Sequence, residues 1–225
     1  MISFCEYNML NKIIKVIVVL VLVWSFSACN NSTVVFYDVK FNSTWSASTQ
    51  PDSFPANPHW SGLIGVTHNT GYTMWQAGTL ASIGMEQMAE TGGKSFLLNE
   101  IEQAISDGTG EFKISGPGMG VSPGSLTMSI KVNKSHPYVS LVAMLAPSPD
   151  WFAGVTSLNL REGGDWVSTK TVTLYTYDAG TDDGTTYGSA NSDTSPKVNI
   201  QQIGTSPFFV SGVVTPVGTF TFIRN

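Results

Sequence analysis

A chain of 225 residues with 42% hydrophobic and only 12% charged residues can bury a substantial core, which excludes disorder of the whole. A net charge of −5 leaves no basic stripe to neutralise phosphates, which excludes nucleic acid as a partner. The 22 glycines and 11 prolines imply many turns between short strands, and the length suits a single all-β domain.

The N-terminus reads as a targeting segment. Lys12 and Lys15 precede or interrupt the apolar run IIKVIVVLVLVWSF, which ends in Ser27 and Ala28 just before Cys29. A positive region, an apolar region and small residues at a cut make a secretory signal over residues 1–28. The run falls short of the roughly 20 residues a bilayer-spanning helix needs. Phe26-Ser27-Ala28-Cys29 resembles a bacterial lipoprotein box, with Phe26 a looser choice than leucine. That resemblance implies cleavage before Cys29 and lipidation of its thiol, each buried CH₂ contributing about 0.8 kcal/mol of membrane affinity. Cys5 lies in the removed segment, so the mature chain has no disulfide. Residues 29–33 form a polar tether and residues 34–225 the folded domain. The expected location is extracytoplasmic, at the outer membrane or periplasmic face of a bacterial cell envelope.

Strands begin at Val34. VVFYDVKFN puts Val35, Tyr37, Val39 and Phe41 on one face, and Ser43 to Pro58 reads as a long loop. GLIGVTHN is a short buried strand. TMWQAGTLASIGMEQMAETGG suits a helix stopped by Gly92-Gly93, with Trp75, Leu80, Ile83, Met88 and Ala89 inward, though Gly78 and Gly84 weaken it. SFLLNEIEQAI is a second helix with Phe96, Leu97, Ile101 and Ile105 on its inner face. After Gly108 come a glycine-rich loop, Gly116 to Ser125, and a series of strands. These are SLTMSIKVN, YVSLVAMLA (apolar enough to be central), VTSLNL, VSTKTVTLYTY, KVNIQQI, FFVSGVV and TFTFIRN. With the first strand they number about eight, as a sandwich or barrel requires, and the helices form an excursion rather than an alternating βαβ pattern.

Acids gather in two strand-joining loops: Asp150 in PSPDW, and Asp178, Asp182 and Asp183 in YDAGTDDG. Hard cations such as Ca²⁺ take six to eight oxygens, largely from carboxylates and loop carbonyls. DAGTDDG is equally the composition of a solvated turn. His59, His68 and His136 have no metal-ligand spacing and read as hydrogen-bonding residues beside strands. No G-x-S-x-G elbow accompanies any serine, so no catalytic residue is assigned and an enzyme is not expected. Glu86 and Glu90 share a helix face without an assigned role. Trp45, Trp60, Trp75, Trp151 and Trp166 either fill the core or, if exposed, stack on sugars as in a carbohydrate-binding module.

Several blocks together resemble one family, the spondin N-terminal domain. They are Trp45-Ser46, Pro58-His59-Trp60-Ser61, Ile64-Gly65-Val66-Thr67-His68-Asn69, the spaced Trp75, Gly78, Ala81, Ser82 and Gly84, and Ala89-Glu90 with Gly92. His136-Pro137, Ser140, Pro147-Ser148-Pro149-Asp150-Trp151-Phe152 and Tyr177-Asp178-Ala179-Gly180-Thr181-Asp182 follow in the family's order, from Val34 to Ile203. Trp60 stands where the family has phenylalanine. The resemblance implies an eight-stranded antiparallel β-sandwich similar to calcium-dependent lipid-binding modules, with a metal site at one end. It also implies secreted adhesion and recognition without catalysis. Asp150, Asp178 and Asp182 are the implied metal ligands; Asp183 lies just beyond the matched block. No thrombospondin-type repeats follow, so animal partners do not carry over. The expectation is a lipid-anchored, calcium-binding, non-enzymatic envelope domain with a protein or glycan ligand. A sugar module using exposed tryptophans and a metal-dependent hydrolase are the alternatives. At the corner SPDWFAGV, Trp151 would turn into the core while Asp150 faces out toward a cation.

Overall fold

A computed structural model describes residues Thr33–Asn225. The signal segment 1–28, the cut and the lipidation of Cys29 lie outside the described residues, as does most of the tether 29–33. No helix of the described residues is long and apolar enough to cross a membrane.

The chain runs β1 (Val35–Ser43), β2 (His59–Trp60), β3 (Ile64–His68), α1 (Ile83–Thr91), α2 (Ser95–Ser106), β4 (Gly110–Ser115), β5 (Gly124–Val132), β6 (Tyr138–Ala146) and β7 (Trp151–Asn159). It continues through β8 (Arg161–Glu162), β9 (Asp165–Trp166), β10 (Thr169–Leu174), β11 (Tyr177–Asp178), β12 (Gln201–Gln202), β13 (Phe209–Val210), β14 (Val213–Val214) and β15 (Gly218–Arg224). Eight strands reach five residues or more: β1, β3 to β7, β10 and β15.

Every pairing is antiparallel. One sheet has the order β10-β15-β1-β5; the other has β12-β11-β7-β6-β3-β4, with β2 also on β6. In the smaller sheet alternation is clean, and Tyr37, Val39 and Phe41 of β1 point inward. Strand β6 does not alternate, because both its faces are covered. Val139, Leu141, Ala143 and Leu145 meet the smaller sheet, while Val142, Met144 and Ala146 meet α1 and α2 through Met85, Met88, Leu97 and Ile101. The architecture is therefore a two-sheet sandwich with a helical layer on the outer face of the larger sheet.

The structure corrects several sequence expectations. Helix α1 begins at Ile83 and not near Thr73, since Gly78 sits at φ +88 and Ser82 caps the later start. Leu80 and Ile83 are consequently 59% and 68% exposed rather than inward. Gly84, which weakened the helical pattern, is there for contact: a Cβ on it would lie 2.6 Å from Leu97 Cα in α2. In α2 the buried residues are Leu97, Ile101 and Ala104, while Phe96 is exposed. KVNIQQI and FFVSGVV contribute only the two-residue β12 and the β13–β14 ribbon. Strand β4, polar on its outer side, was not expected.

Ser82 Oγ accepts the Met85 amide at 3.1 Å, and its hydroxyl donates to Glu100 at 2.6 Å. Ser82→Ala should cost about 1 kcal/mol in urea denaturation. Ser82→Thr should recover most of it, and an unchanged midpoint in the alanine variant would show that Glu100 alone satisfies the helix start.

The two sheets share a long axis. Near the start of β1, Tyr37 Oη donates to Val167 O at 2.6 Å, beside the end of β7. Just past its other end, Trp45 Nε1 donates to Tyr187 Oη at 3.1 Å, and Tyr187 packs on Trp151, at the start of β7, at 5.3 Å. The entering chain and the final strand's end thus lie at one pole, and the Ala146–Trp151 corner lies at the other. The nine residues of β1 at about 3.3 Å each separate them by about 30 Å.

Candidate metal centre

Strand β7 starts directly at Trp151, with one side chain for each core. Trp151 lies between the sheets against Tyr187 and Phe208, and Phe152 lies on the helical side against Trp75. Trp45, Trp60, Trp75 and Trp151 are each at most 5% exposed, and half-buried Trp166 packs edge-on to Tyr37. Exposed sugar-stacking tryptophans are therefore absent among the described residues. Their apolar area and indole N–H groups are spent inside, on Tyr187 Oη, Ser43 Oγ and Val155 O for Trp45, Trp60 and Trp75.

Asp150 does not face out. It is completely buried, because the loop after β11 folds over it. Its Oδ2 accepts the Thr181 amide at 2.8 Å, the Asp182 amide at 3.2 Å and the Thr181 hydroxyl at 3.3 Å. Its Oδ1 is buried and has no hydrogen-bond partner. Burial pushes the Asp150 carboxyl above the usual carboxylate range, against the pull of those Thr181 and Asp182 bonds, and the charge of Asp182 adds to the rise.

Asp178 is the cross-strand partner of Trp151. Its carboxyl is pushed up to about 6, first by burial and next by the negative charge of Asp150. The Gly180 amide, 2.8 Å from Oδ1, and the Trp151 side chain pull the other way. Gly180 makes that turn possible. At φ +74 it is in the left-handed region, and a Cβ there would lie 2.2 Å from Val198 O.

The other two acids of the loop hold its shape. Asp182 Oδ1 accepts the Gly184 amide at 2.7 Å and Oδ2 accepts the Ser192 amide at 3.0 Å. Asp183 is exposed, and its Oδ1 accepts the Thr194 hydroxyl at 2.8 Å. Helix α1 supplies what sequence reasoning missed. Lys197 Nζ donates to Glu86 and to Thr181 O, each at 3.0 Å, and also to Asp193. Its ammonium is pushed up to about 12 by the Asp193 and Glu86 carboxylates, which outweigh its desolvation. Burial raises the Glu90 carboxyl, against the lowering influence of the nearby Thr181 side chain. Acids at i and i+4 in a sequence mark a helix face. They do not reveal that a lysine 111 positions away from one of them closes onto it.

Of the histidines only His59 approaches the corner, as the cross-strand partner of Ala146. His68 is buried, with Nδ1 2.8 Å from Asn69 O and Nε2 2.9 Å from Ser140 Oγ, and burial pushes its pKa down. His136 bonds Gly108 O, and His59 bonds Asn57 O. Among the described residues no group of three or more His, Cys, Asp or Glu is arranged to hold a metal ion. The corner offers instead two carboxylates, one of which already has a dehydrated, unpaired oxygen. That donor set fits a hard cation completed by carbonyl and water oxygens.

Fold and corner together define an antiparallel β-sandwich domain whose polar site lies in its end loops. Residues 35–211 match the Spondin_N family model, and the chain belongs to the spondin N-terminal family. It is 33% identical over 211 residues to Spondin-2 of Rattus norvegicus, covering 88% of this chain and 64% of that protein. Spondin-2 of Homo sapiens is 34% identical over 186 residues, covering 80% and 56% respectively. Spondin-1 of Homo sapiens is 32% identical over 202 residues, covering 84% of this chain and 25% of the relative. The chain thus spans less than two thirds of the length of these relatives.

Proposed function

We propose that this is a lipid-anchored, non-enzymatic binding or adhesion-type domain of a bacterial cell envelope, held through Cys29. In this reading calcium at Asp150 and Asp178 fixes the end loops that present a surface to a protein or glycan ligand. The observation that carries the metal reading is the buried, unpartnered Oδ1 of Asp150 beside a second raised carboxyl. Removing a carboxylate oxygen from water without a partner costs stability, and a domain keeps such a group where something offsets it. The Thr181 and Asp182 amides hold Asp150 Oδ2, which leaves Oδ1 to a ligand. Asp178 supplies the second carboxylate, while Asp182 and Asp183 keep the loop closed. A bound cation would neutralise this acid pair and tie β7 to β11. Family membership supports an extracytoplasmic recognition role, and the lipoprotein-type box supports the anchor.

Millimolar calcium is expected to raise the melting temperature of the chain, and Asp178→Ala to abolish that rise. With calcium at a hundredfold excess over Kd the stabilisation would be about 2.7 kcal/mol. A wild-type chain whose melting is indifferent to calcium ends the metal reading.

A further inference from the structure

The pole opposite the acid corner carries an apolar patch with basic neighbours. Val34, Phe36 and Ile223 are 37%, 46% and 43% exposed. Phe36 alternates with buried Tyr37 and so lies on the outer face of the smaller sheet. Ile223 pairs across with Asp38, two residues on, which makes it the diagonal neighbour of Phe36 on that face. Lys131 is the direct cross-strand partner of Phe36, and exposed Lys134 follows at the same end. Arg224, also exposed, pairs with Tyr37 on the other side of the strand end and donates one guanidinium N–H to Trp166 O at 3.2 Å, its remaining N–H groups facing outward at this pole. Of the acids there, Asp38 lies on the same face opposite Ile223 and stays charged, its pKa lowered by bonds from Ser129 and Asn225. Glu162 is paired with Lys170 at 2.7 Å, and Asp165 lies on the neighbouring hairpin. The opposite pole collects Asp150, Asp178, Asp182 and Asp183.

This is also the pole at which the chain enters from the tether. Residues 29–33 span at most about 18 Å when fully extended. On the reading that Cys29 is acylated, the patch cannot leave the neighbourhood of the bilayer. We propose that this pole is a membrane-docking face for an anionic bilayer. Val34, Phe36 and Ile223 enter the headgroup boundary, and Lys131, Lys134 and Arg224 lie against lipid phosphates. Aromatic and aliphatic side chains gain by burial at that depth, and basic residues beside an anionic surface add an attraction that salt screens. Docked this way, the domain holds its acid corner about 30 Å from the lipid, facing away.

The test uses the full chain in vesicles of phosphatidylglycerol and phosphatidylethanolamine. A polarity-sensitive fluorophore is placed at Ile223→Cys and, in a second variant, at exposed Gly188→Cys near the acid corner. The label at 223 should shift to the blue in anionic vesicles and the label at 188 should not. Lys131→Glu with Arg224→Glu should remove the shift at 223 while the protein still floats with the vesicles. The same emission at both sites in a floating chain refutes docking and leaves the anchor intact. A blue shift at 223 that grows with protein concentration without lipid assigns the patch to a second copy of the chain and also refutes docking. A wild-type chain that neither floats nor shields Cys29 from the thiol-reactive dye refutes the anchor itself, and tethered docking with it.

Discussion

Trp151→Ala is expected to lower stability by about 3–5 kcal/mol, a large share of the 5–15 kcal/mol typical of a domain. The indole is 3% exposed and stands at the first residue of β7, so its loss opens a cavity at the place where the corner meets the sheet. Tyr187 at 5.3 Å and Phe208 at 5.4 Å pack edge-on against it, and both come from distant loops that depend on such contacts for position. Tyr187 in turn bonds Trp45, which packs on Trp60 at 5.8 Å, so the cavity lies in a continuous aromatic layer that can collapse only by moving several rings. Trp151→Phe should retain more than half of the lost stability. Chemical denaturation followed by circular dichroism decides the matter, and an alanine variant within 1 kcal/mol of wild type, in the sense of surface substitutions, would show that the layer does not rest on this ring.

Asp150→Asn should act in the opposite direction. In the calcium-free chain at neutral pH it is expected to stabilise by about 1–2 kcal/mol, while removing the calcium response. The amide oxygen of asparagine can still accept from Thr181 and Asp182, and the charge that most raises Asp178 after burial is removed, leaving only that of Asp182. The same physics fixes a pH dependence. Both carboxyls have folded-state pKa values above their unfolded ones, near 4, so the folded chain binds more protons between about pH 4 and the Asp178 value of about 6. The contribution of this pair to stability without calcium therefore falls as pH rises through that window, a loss that comparison with Asp178→Ala separates from the opposite trend of buried His68, and calcium should restore it above the window. Melting curves from pH 4 to 8, with and without calcium, read this directly. A calcium-free chain that grows more stable from pH 4 to 6, with Asp150→Asn destabilised, would place the ionised pair among the fold's supports rather than its costs.

Much of the fold is legible in the sequence because one period decides it. Tyr37, Val39 and Phe41 alternate, and the sheet follows. YVSLVAMLA reads as central because Ser140 is its one fully polar side chain, too little for a face turned to water. What covers it could be guessed only in part, since the extent of α1 depends on Ser82 meeting Glu100 in the next helix. The corner shows the same divide. Asp150 and Asp178 stand out as acids in strand-joining loops, but the complete burial of one and the half-burial of the other depend on the loop at 179–184 folding back. Lys197 secures that loop to a helix more than a hundred residues earlier. Composition marks residues suited to a site. Only the tertiary closure tells which oxygens remain free.

The placement of β1 has a mechanical consequence. It lies between β15 and β5, paired antiparallel with one over seven residues and with the other over nine, and it is the strand nearest the tether. A ligand pulling on the acid pole, against an anchor at the other, would stretch β1 along its own axis. Both ladders would then be sheared with all their rungs strained at once, instead of being peeled open one rung at a time. Traction between the two ends of the chain would do the reverse, because Tyr37 and Arg224 sit side by side and would unzip in turn. On the proposed reading of a domain anchored at one pole and liganded at the other, load would fall along the direction in which both ladders resist by shear.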